Sequence, residues 1–581
     1  MTGANQLDNE QAEYLLESAV EDVYDAVMDE VEDEDLDEDA LWFREELQKH
    51  KTLGWLYRPS VIQISVALFM FSISTAIGSP ANQVVLYQLS CNSVAKDGIC
   101  DPVAAQLLFS TFSQFQMVAL GVLPIIISSR FGELSDRFGR KPFIATIFVG
   151  VATHKVINYF LITKSNVLPF NALLIFDFIC SAFGGMAPLV AMLQSYVTDV
   201  IAPHERTFSI GLVSASLLVG QALGPILSSF MVSLIPTDDG KGINFDLNSI
   251  EAYIQISKKQ LYPMRIELVI LILVALYGVF ILPESRGEKA RSKSRSNSMA
   301  SDIETFQQLR ALQHPPSFWK KASHYINVFK PLALLTYPSS AVPNNQKQYE
   351  TRNRLVVYIL ILAAALCNST IISMGQITVQ YGMLKFQWGA QEIGYFMSVY
   401  STSAAIVLVF LSPILTKVIL QQYFKFKTMK RQIDLVDIST LIFGRGCDAI
   451  AFLAMVYSTN TPQFLSNFCI LALGAPANPA ATASLLKFFP ASKTGEFFGA
   501  MALLHSLLGL FMPVLMMGLF KYFITEGTPQ FTYLAYSGIN LVYIVFILGV
   551  KRIMNISTST REDELRRRSS SVSFANYDSS H

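Results

Sequence analysis

Charge is scarce in this 581-residue chain: Asp, Glu, Lys and Arg make up 15% of it, against about 25% in an ordinary soluble domain. Water alone cannot solvate such a composition. Six cysteines are too few for a disulfide scaffold or a zinc cluster, so no metal centre is expected. No phosphate-cradling loop, nucleophile with a paired base or metal-ligand cluster can be read. That excludes an ATP-driven pump and a hydrolase, and leaves no call for a cofactor; the chain is not read as an enzyme. A basic domain and a nucleic-acid-reading motif are both missing, so nucleic acid is not an expected partner.

Apolar residues are what the chain has in abundance. Hydrophobic types make up 51% and aromatics 12%, and the mean hydropathy is +0.38. They come in runs about 20 residues long, the length of helix that crosses a bilayer. The runs fall at 60–82, 105–128, 142–163, 169–194, 207–231 and 263–282, then at 354–379, 392–416, 438–458, 463–486, 495–520 and 531–550. The expected fold is an all-α membrane protein, with 12 transmembrane helices as two six-helix pseudo-symmetric bundles. Its parts are an acidic tail (1–58), a first bundle (59–284), a linker (285–352), a second bundle (353–550) and a C-terminal tail (551–581). Shifting the chain by 288 residues lays Pro188 on Pro476, Gly211 on Gly499 and Pro225 on Pro513, and a shift of 289 lays Pro124 on Pro413. Helix-bending residues at matched depths mark duplicated bundles.

Net charge is −1, yet residues 1–58 hold 18 Asp and Glu against four Lys and Arg. With the N-terminus in the cytoplasm, 34 of the 44 Lys and Arg fall on that side and eight on the other, while Lys155 and Arg445 sit inside runs. Basic residues set orientation, so both termini are expected in the cytoplasm. No basic-flanked leader precedes the first run, which is expected to act as its own insertion signal. In the acidic tail Leu16, Val20, Val23 and Val27 share one helical stripe, compatible with a docking helix or a solvated one.

After the second run the chain reads GELSDRFGRKP, from Gly132 to Pro142. Gly132 and Gly139 would allow a tight turn, Asp136 could accept from backbone donors at a helix start, and Arg137, Arg140 and Lys141 would hold the loop inside. SYVTDVIAPHERT follows the fourth run, with Asp199, Glu205 and Arg206, and LPESR follows the sixth. The fifth run carries Gly211, Gly220, Gly224 and Pro225; Ser216, Gly220, Gly224 and Ser228 form a row four apart that lets another helix approach backbone to backbone. Together these stretches resemble the major facilitator superfamily, over roughly 60–550. More narrowly they resemble its fungal drug:proton antiporter and tetracycline-resistance-like branch, with uncharacterised vacuolar members. The resemblance implies that the Gly132–Lys141 loop latches the two halves in one access state and that the membrane is the vacuole's. One departure stands out: that branch's fourth-span arginine is here Cys180, four before Gly184.

Ionisable groups at bilayer depth ask for a partner or a role. His154 and Lys155 in the third run match the depth of Asp177 in the fourth, so Lys155 is expected to pair with Asp177, either as a structural pair or around a titrating carboxylate. Arg445 and Asp448, three apart, can neutralise each other. His505 in the eleventh run could carry a proton near neutral pH or be a satisfied core histidine. Gln114, Gln221, Gln376, Gln380 and Tyr400 are candidates to line a solute path. Few fixed charges and many aromatics suit a small organic solute better than a bare ion. The reading is a proton-coupled secondary transporter working as a monomer in a lipid bilayer; a facilitative uniporter and a non-transporting sensor on the same fold stay open. Cys91 and Cys100 flank the first outer loop, where oxidation is permitted, so a local disulfide is expected. Arg295 stands three before Ser298, and Arg566 to Arg568 precede Ser569, Ser570 and Ser571. A phosphate there would add about −1.5 to −2 charges to a positive segment.

Overall fold

The computed structural model describes residues 54, 57–96, 99–201, 206–234, 258–289, 291–292, 295–296, 332–337, 350–426, 433–489 and 494–554. Most of the acidic tail, of the linker and of the C-terminal tail, with Glu205, Ser298 and Ser569 to Ser571, lie outside them. Helices account for the described secondary structure, apart from one isolated bridge between Lys96 and Ile99.

The first bundle is built from α1 (Val61–Val94), α2 (Pro102–Phe138), α3 (Lys141–Lys164), α4 in two pieces (Phe170–Ser181 and Met186–Val200), α5 (Arg206–Leu234) and α6 (Lys258–Leu276). A π-turn, Tyr277–Ile281, ends α6. The second bundle holds α7 (Glu350–Phe386), α8 (Ala390–Ile406), α9 (Leu435–Val456), α10 in two pieces (Thr461–Ala472 and Ala477–Leu486), α11 (Thr494–Thr525) and α12 (Thr532–Ile553). Ten spans, with the two pieces of α10 taken together and α8 with its π-helical continuation, are long and apolar enough to cross a membrane; α4 and α5 contribute the shorter apolar stretches Phe170–Ser181, Pro188–Val197 and Ala215–Met231. An even number of crossings puts both ends of the bundles on one face, called here the terminal face, with the distal face opposite.

Starts and breaks follow local chemistry. Ser60, Asp101, Asp434 and Asn460 cap α1, α2, α9 and α10 by accepting from backbone N–H groups, which satisfies donors that a helix start leaves open. Midway along, α4 breaks at Ala182–Gly185, where Gly184 turns with φ +99°, a conformation that a side chain would strain. The matching break in α10 precedes Ala477, behind Pro476. Several helices outrun their apolar runs: α1 continues to Val94, α2 to Phe138 and α7 to Phe386. Beyond Ile406, α8 widens into π-helix over Val407–Leu411 and Ile414–Tyr423.

Each bundle has its own apolar core near the terminal face, around Phe148 and Tyr196 in the first and Val357 and Phe497 in the second. In the distal half a single buried cluster draws on both bundles, from Val85 and Phe109 to Met374, Trp388 and Phe520. Between the bundles, α5 packs on α8 and α2 on α11. The row in α5 lies against α1: a Cβ at Gly220 would meet Ser72 and Ile73, and one at Gly224 would stand 2.5 Å from the Ala76 Cβ and 2.9 Å from the Ile73 carbonyl. Gly211 lies earlier in the same helix. On its other side α5 meets α8, where Gly394 faces Ser229 and the Pro225 carbonyl.

Candidate functional site

At the terminal face, α2 ends because Gly139 turns the chain with φ +103°, and Pro142 sits in the first turn of α3. Glu284, after α6, lies beneath this turn. Its carboxylate accepts from the backbone N–H of Arg140 at 2.7 Å and of Lys141 at 3.2 Å, and from those of Ser285 and Arg286 at 3.1 Å. A carboxylate is well placed there, where open N–H groups and the positive end of the helix dipole coincide. A side chain on Gly139 would run into the Glu284 carboxylate. Arg140 reaches Asp136 at 2.7 Å, Asp199 at 3.0 Å and the Ser135 hydroxyl at 2.5 Å. Arg286 reaches the same two aspartates, at 3.0 and 3.5 Å. Five charges from four helices and their ends thus form one cluster, with Arg137 in the last turn of α2 beside it.

Two expectations for this loop need correction. Helix α2 runs straight through Gly132, where an added Cβ would meet nothing within 4 Å, so Gly139 alone makes the turn. The backbone donors at the start of α3 go to Glu284, not Asp136, because Asp136 is still on α2 and faces the guanidinium groups.

The second bundle has a counterpart of reversed sign. Lys487, 288 residues after Asp199 and likewise at the end of a helix, bonds Asp434 at 2.8 Å and Asp437 at 2.5 Å at the start of α9. Burial lowers the affinity of Lys487 for its proton, but the hydrogen bonds and charges of Asp434 and Asp437 more than offset this and hold it above the usual lysine range.

Inside the first bundle the buried charges pair in an unexpected way. Asp177, 1% exposed, bonds the His154 Nε2 at 2.5 Å and accepts from the Gln116 amide at 2.8 Å. Lys155 pairs not with Asp177 but with Glu267 of α6, at 2.7 Å. Neighbours on a helix point about 100° apart at 3.6 residues per turn, so His154 faces α4 while Lys155 faces α6. Glu267 is 2% exposed and packs on α1, where a Cβ at Gly78 would strike its carboxylate. Sequence reading missed it, although a lone carboxylate in the sixth apolar run was the available signal.

In the second bundle Arg445 bonds Asp448 at 2.8 Å and also Asn478 of α10. Its guanidinium lies 5.4 Å above the ring of Tyr543 in α12. The Asp448 carboxylate fills the place a side chain on Gly474 would need, beside the break in α10. Tyr400 packs edge-on against Phe468 within this bundle. In α11 the Nε2 of His505 is buried and makes no hydrogen bond to a described residue.

Across the seam between the bundles, in the distal half, a band of amides and hydroxyls meets. Gln83 of α1 and Gln376 of α7 exchange hydrogen bonds at 3.2 and 3.1 Å. Gln380 accepts from Gln106 at 3.1 Å and Ser110 at 2.6 Å, and donates to Ser113 at 3.0 Å. Farther along, Gln114 of α2 donates to the Val514 carbonyl of α11 at 2.8 Å and accepts from Lys521 at 2.6 Å. Gln114, Gln376 and Gln380 therefore join one seam; Gln221 is half-buried on α5. At the distal face Cys91 and Cys100 are joined by a disulfide, with Cα atoms 5.5 Å apart. Cys180, Cys367, Cys447 and Cys469 are free thiols.

Two six-helix bundles of membrane-crossing length, joined along a polar seam and carrying buried ion pairs, define a transporter of the two-bundle class. The chain belongs to the Major Facilitator Superfamily, whose family model matches residues 64–433. Among curated relatives, an uncharacterized membrane protein of Saccharomyces cerevisiae is 25% identical over 474 residues, 78% of each chain. The MFS-type transporter avaJ of Aspergillus versicolor is 22% identical, with 75% of this chain and 77% of avaJ covered. The proton-coupled folate transporter of Rattus norvegicus is 20% identical, with 75% and 76% covered. Among solved structures, a D-xylose-proton symporter aligns with a TM-score of 0.54 at 12% identity, covering 86% of this chain and 98% of that one. The human organic anion transporter MFSD10 aligns at 0.53 and 15%, covering 84% and 99%. These structural likenesses concern the fold. The chain is a multi-pass membrane transporter.

Proposed function

We propose that this chain is a proton-coupled secondary transporter that moves a small organic solute by alternating access between its two bundles. The observation that carries the reading is Asp177. It is a carboxylate with 1% exposure inside the apolar first piece of α4, held by a histidine and an amide and not by a permanent cation. Gaining or losing a proton there changes both the net charge of the bundle and the bond to His154, so the two protonation states favour different packings of α3 and α4. Proton coupling in the rat folate transporter relative points the same way.

In this scheme the distal seam and the terminal charge cluster work as alternating closures. Opening the distal side breaks the Gln83–Gln376 and Gln380 bonds; opening the terminal side rearranges Asp136, Arg140 and Arg286. The motifs of the first bundle carry the placement in the fungal drug:proton branch and with it a vacuolar membrane and a monomer, and the excess of basic residues on one face carries the cytoplasmic termini. A fluorescent fusion seen at the cell surface would refute that location. The test of function uses purified chain in proteoliposomes under an imposed proton gradient. Solute accumulation that collapses with a protonophore is the expected result. Flux that ignores the gradient removes the coupling, and solute binding without flux identifies a sensor.

A further inference from the structure

The seam carries eight neutral polar side chains named above or bonded to them, Gln83, Gln106, Ser110, Thr111, Ser113, Gln114, Gln376 and Gln380, and one charge, Lys521. Sequence reading put Lys521 just past the eleventh apolar run, in the distal loop. The structure keeps it within α11, four residues before the helix ends at Thr525, about 6 Å in from the end.

Lysines this close to a membrane surface ordinarily extend their ammonium outward to water. Lys521 does the reverse. Side chains lean toward the N-terminus of their helix, which for α11 is the terminal face, so the ammonium is carried inward, into the seam. It donates to the Gln114 Oε1 at 2.6 Å and reaches the Thr111 hydroxyl at 3.5 Å. Both partners are neutral, and no described residue forms an ion pair with it. The cations deeper in the bundles each have an acid: Lys155 has Glu267, and Arg445 has Asp448. An ammonium has three donors, and only one of these has a short partner.

We infer that Lys521 is the charge-recognition residue of the solute path and that the solute it receives is an organic anion, bearing a carboxylate or phosphate. This rests on the transport reading above and names its substrate class. When the distal side opens, α2 and α11 separate, Gln114 and Thr111 leave the ammonium, and a positive group faces the entrance with no acid beside it. An anion restores the lost interaction; a cation meets like charge, and a neutral solute leaves the ammonium uncompensated. The surrounding amides and hydroxyls can bond the rest of an anionic solute without competing for the charge. Moving one proton with one monoanion also adds no net charge to the step.

The test is thermal protection of the purified full chain by matched probes: benzoate and phenyl phosphate as anions, citrate as a larger one, benzamide as the neutral analogue and benzylamine as the cation. Protection by a ligand that binds only the folded state grows with concentration over its dissociation constant. At least one anion is expected to protect the wild type, with benzamide and benzylamine weaker. Lys521→Met is expected to weaken that protection tenfold or more, roughly what losing a charge-assisted hydrogen bond implies, while Lys521→Arg retains most of it. Equal protection by benzamide, preference for benzylamine, protection by no anion, or an unchanged Lys521→Met overturns the inference. The wild-type panel decides even where Lys521→Met does not fold. Anion-specific protection without flux in proteoliposomes would leave the anion site standing and remove the transport reading alone.

Discussion

At Gly224 the contact between α1 and α5 has no flexible side chain to yield, which makes its response to substitution calculable. At Gly224 an added Cβ would lie 2.5 Å from the Ala76 Cβ, 2.9 Å from the Ile73 carbonyl and 3.0 Å from the Ile77 nitrogen. Carbon atoms rest about 3.5–4.0 Å apart, so Gly224→Ala must drive the helices apart by about 1 Å. Two of the three opposing atoms are backbone and cannot rotate away. The separation would also stretch the bond from the Ser72 hydroxyl to the Leu217 carbonyl, now 2.7 Å. Overpacking of this kind costs about 1–3 kcal/mol, against a gain of about 1 kcal/mol from the better helix propensity of alanine. Gly224→Ala should therefore come out destabilised by up to about 2 kcal/mol, and Gly224→Leu by more than the 3 kcal/mol upper end, about the limit for one site. Gly538 in α12 supplies the control, since a Cβ there meets nothing within 4 Å; Gly538→Ala should be neutral or slightly stabilised. The assay is thermal unfolding of purified variants in one detergent, scored with surface expression. A Gly224→Leu protein as stable as wild type would mean that α5 does not pack on α1 through this row.

Neutralising Asp177 tests the coupling site: Asp177→Asn should abolish proton-driven accumulation yet retain exchange of solute across the membrane, and unchanged accumulation would move the site elsewhere, with His505 next. Removing one member of a buried ion pair costs about 3–5 kcal/mol, so Lys155→Met should lose near the low end, Lys155 being 24% exposed. Adding Glu267→Leu should recover most of that loss in a double-mutant cycle; a double variant as unstable as the sum of the singles would refute the pair. At the terminal face, Glu284→Ala strips the acceptor from the start of α3, and Asp136→Ala takes from Arg140 and Arg286 one of their two shared aspartates. Both should be expressed and transport slowly, and wild-type flux in either would take the charge cluster out of the mechanism. Without reduction, Cys91 and Cys100 should resist alkylation in mass spectrometry, and modification of both would dismiss the disulfide.

Hydropathy alone gave the number of helices and their grouping, because a bilayer demands about 20 apolar residues per crossing and closes every backbone hydrogen bond within the helix. Position of a charge along a helix was likewise legible, as for Asp177, Arg445 and Asp448. Direction was not. Whether His154 or Lys155 meets Asp177 depends on which helices lie to either side of α3, and that is set by packing between segments more than 20 residues apart. Glu284 illustrates the same limit: it follows a different helix from the one it caps, so no local pattern ties it to Arg140. Gly132 reads as a turn residue in the motif, yet the helix continues through it, since glycine permits a turn without requiring one. Lys521 looked like a loop residue because hydropathy stops where a charge appears; backbone hydrogen bonds carry α11 on to Thr525, and the inward lean of the side chain takes the ammonium into the seam. Sequence determined what crosses the membrane and at what depth the charges inside the apolar runs lie, both local consequences of transfer free energy. Tertiary structure decided which groups face one another, because facing is a property of two segments at once.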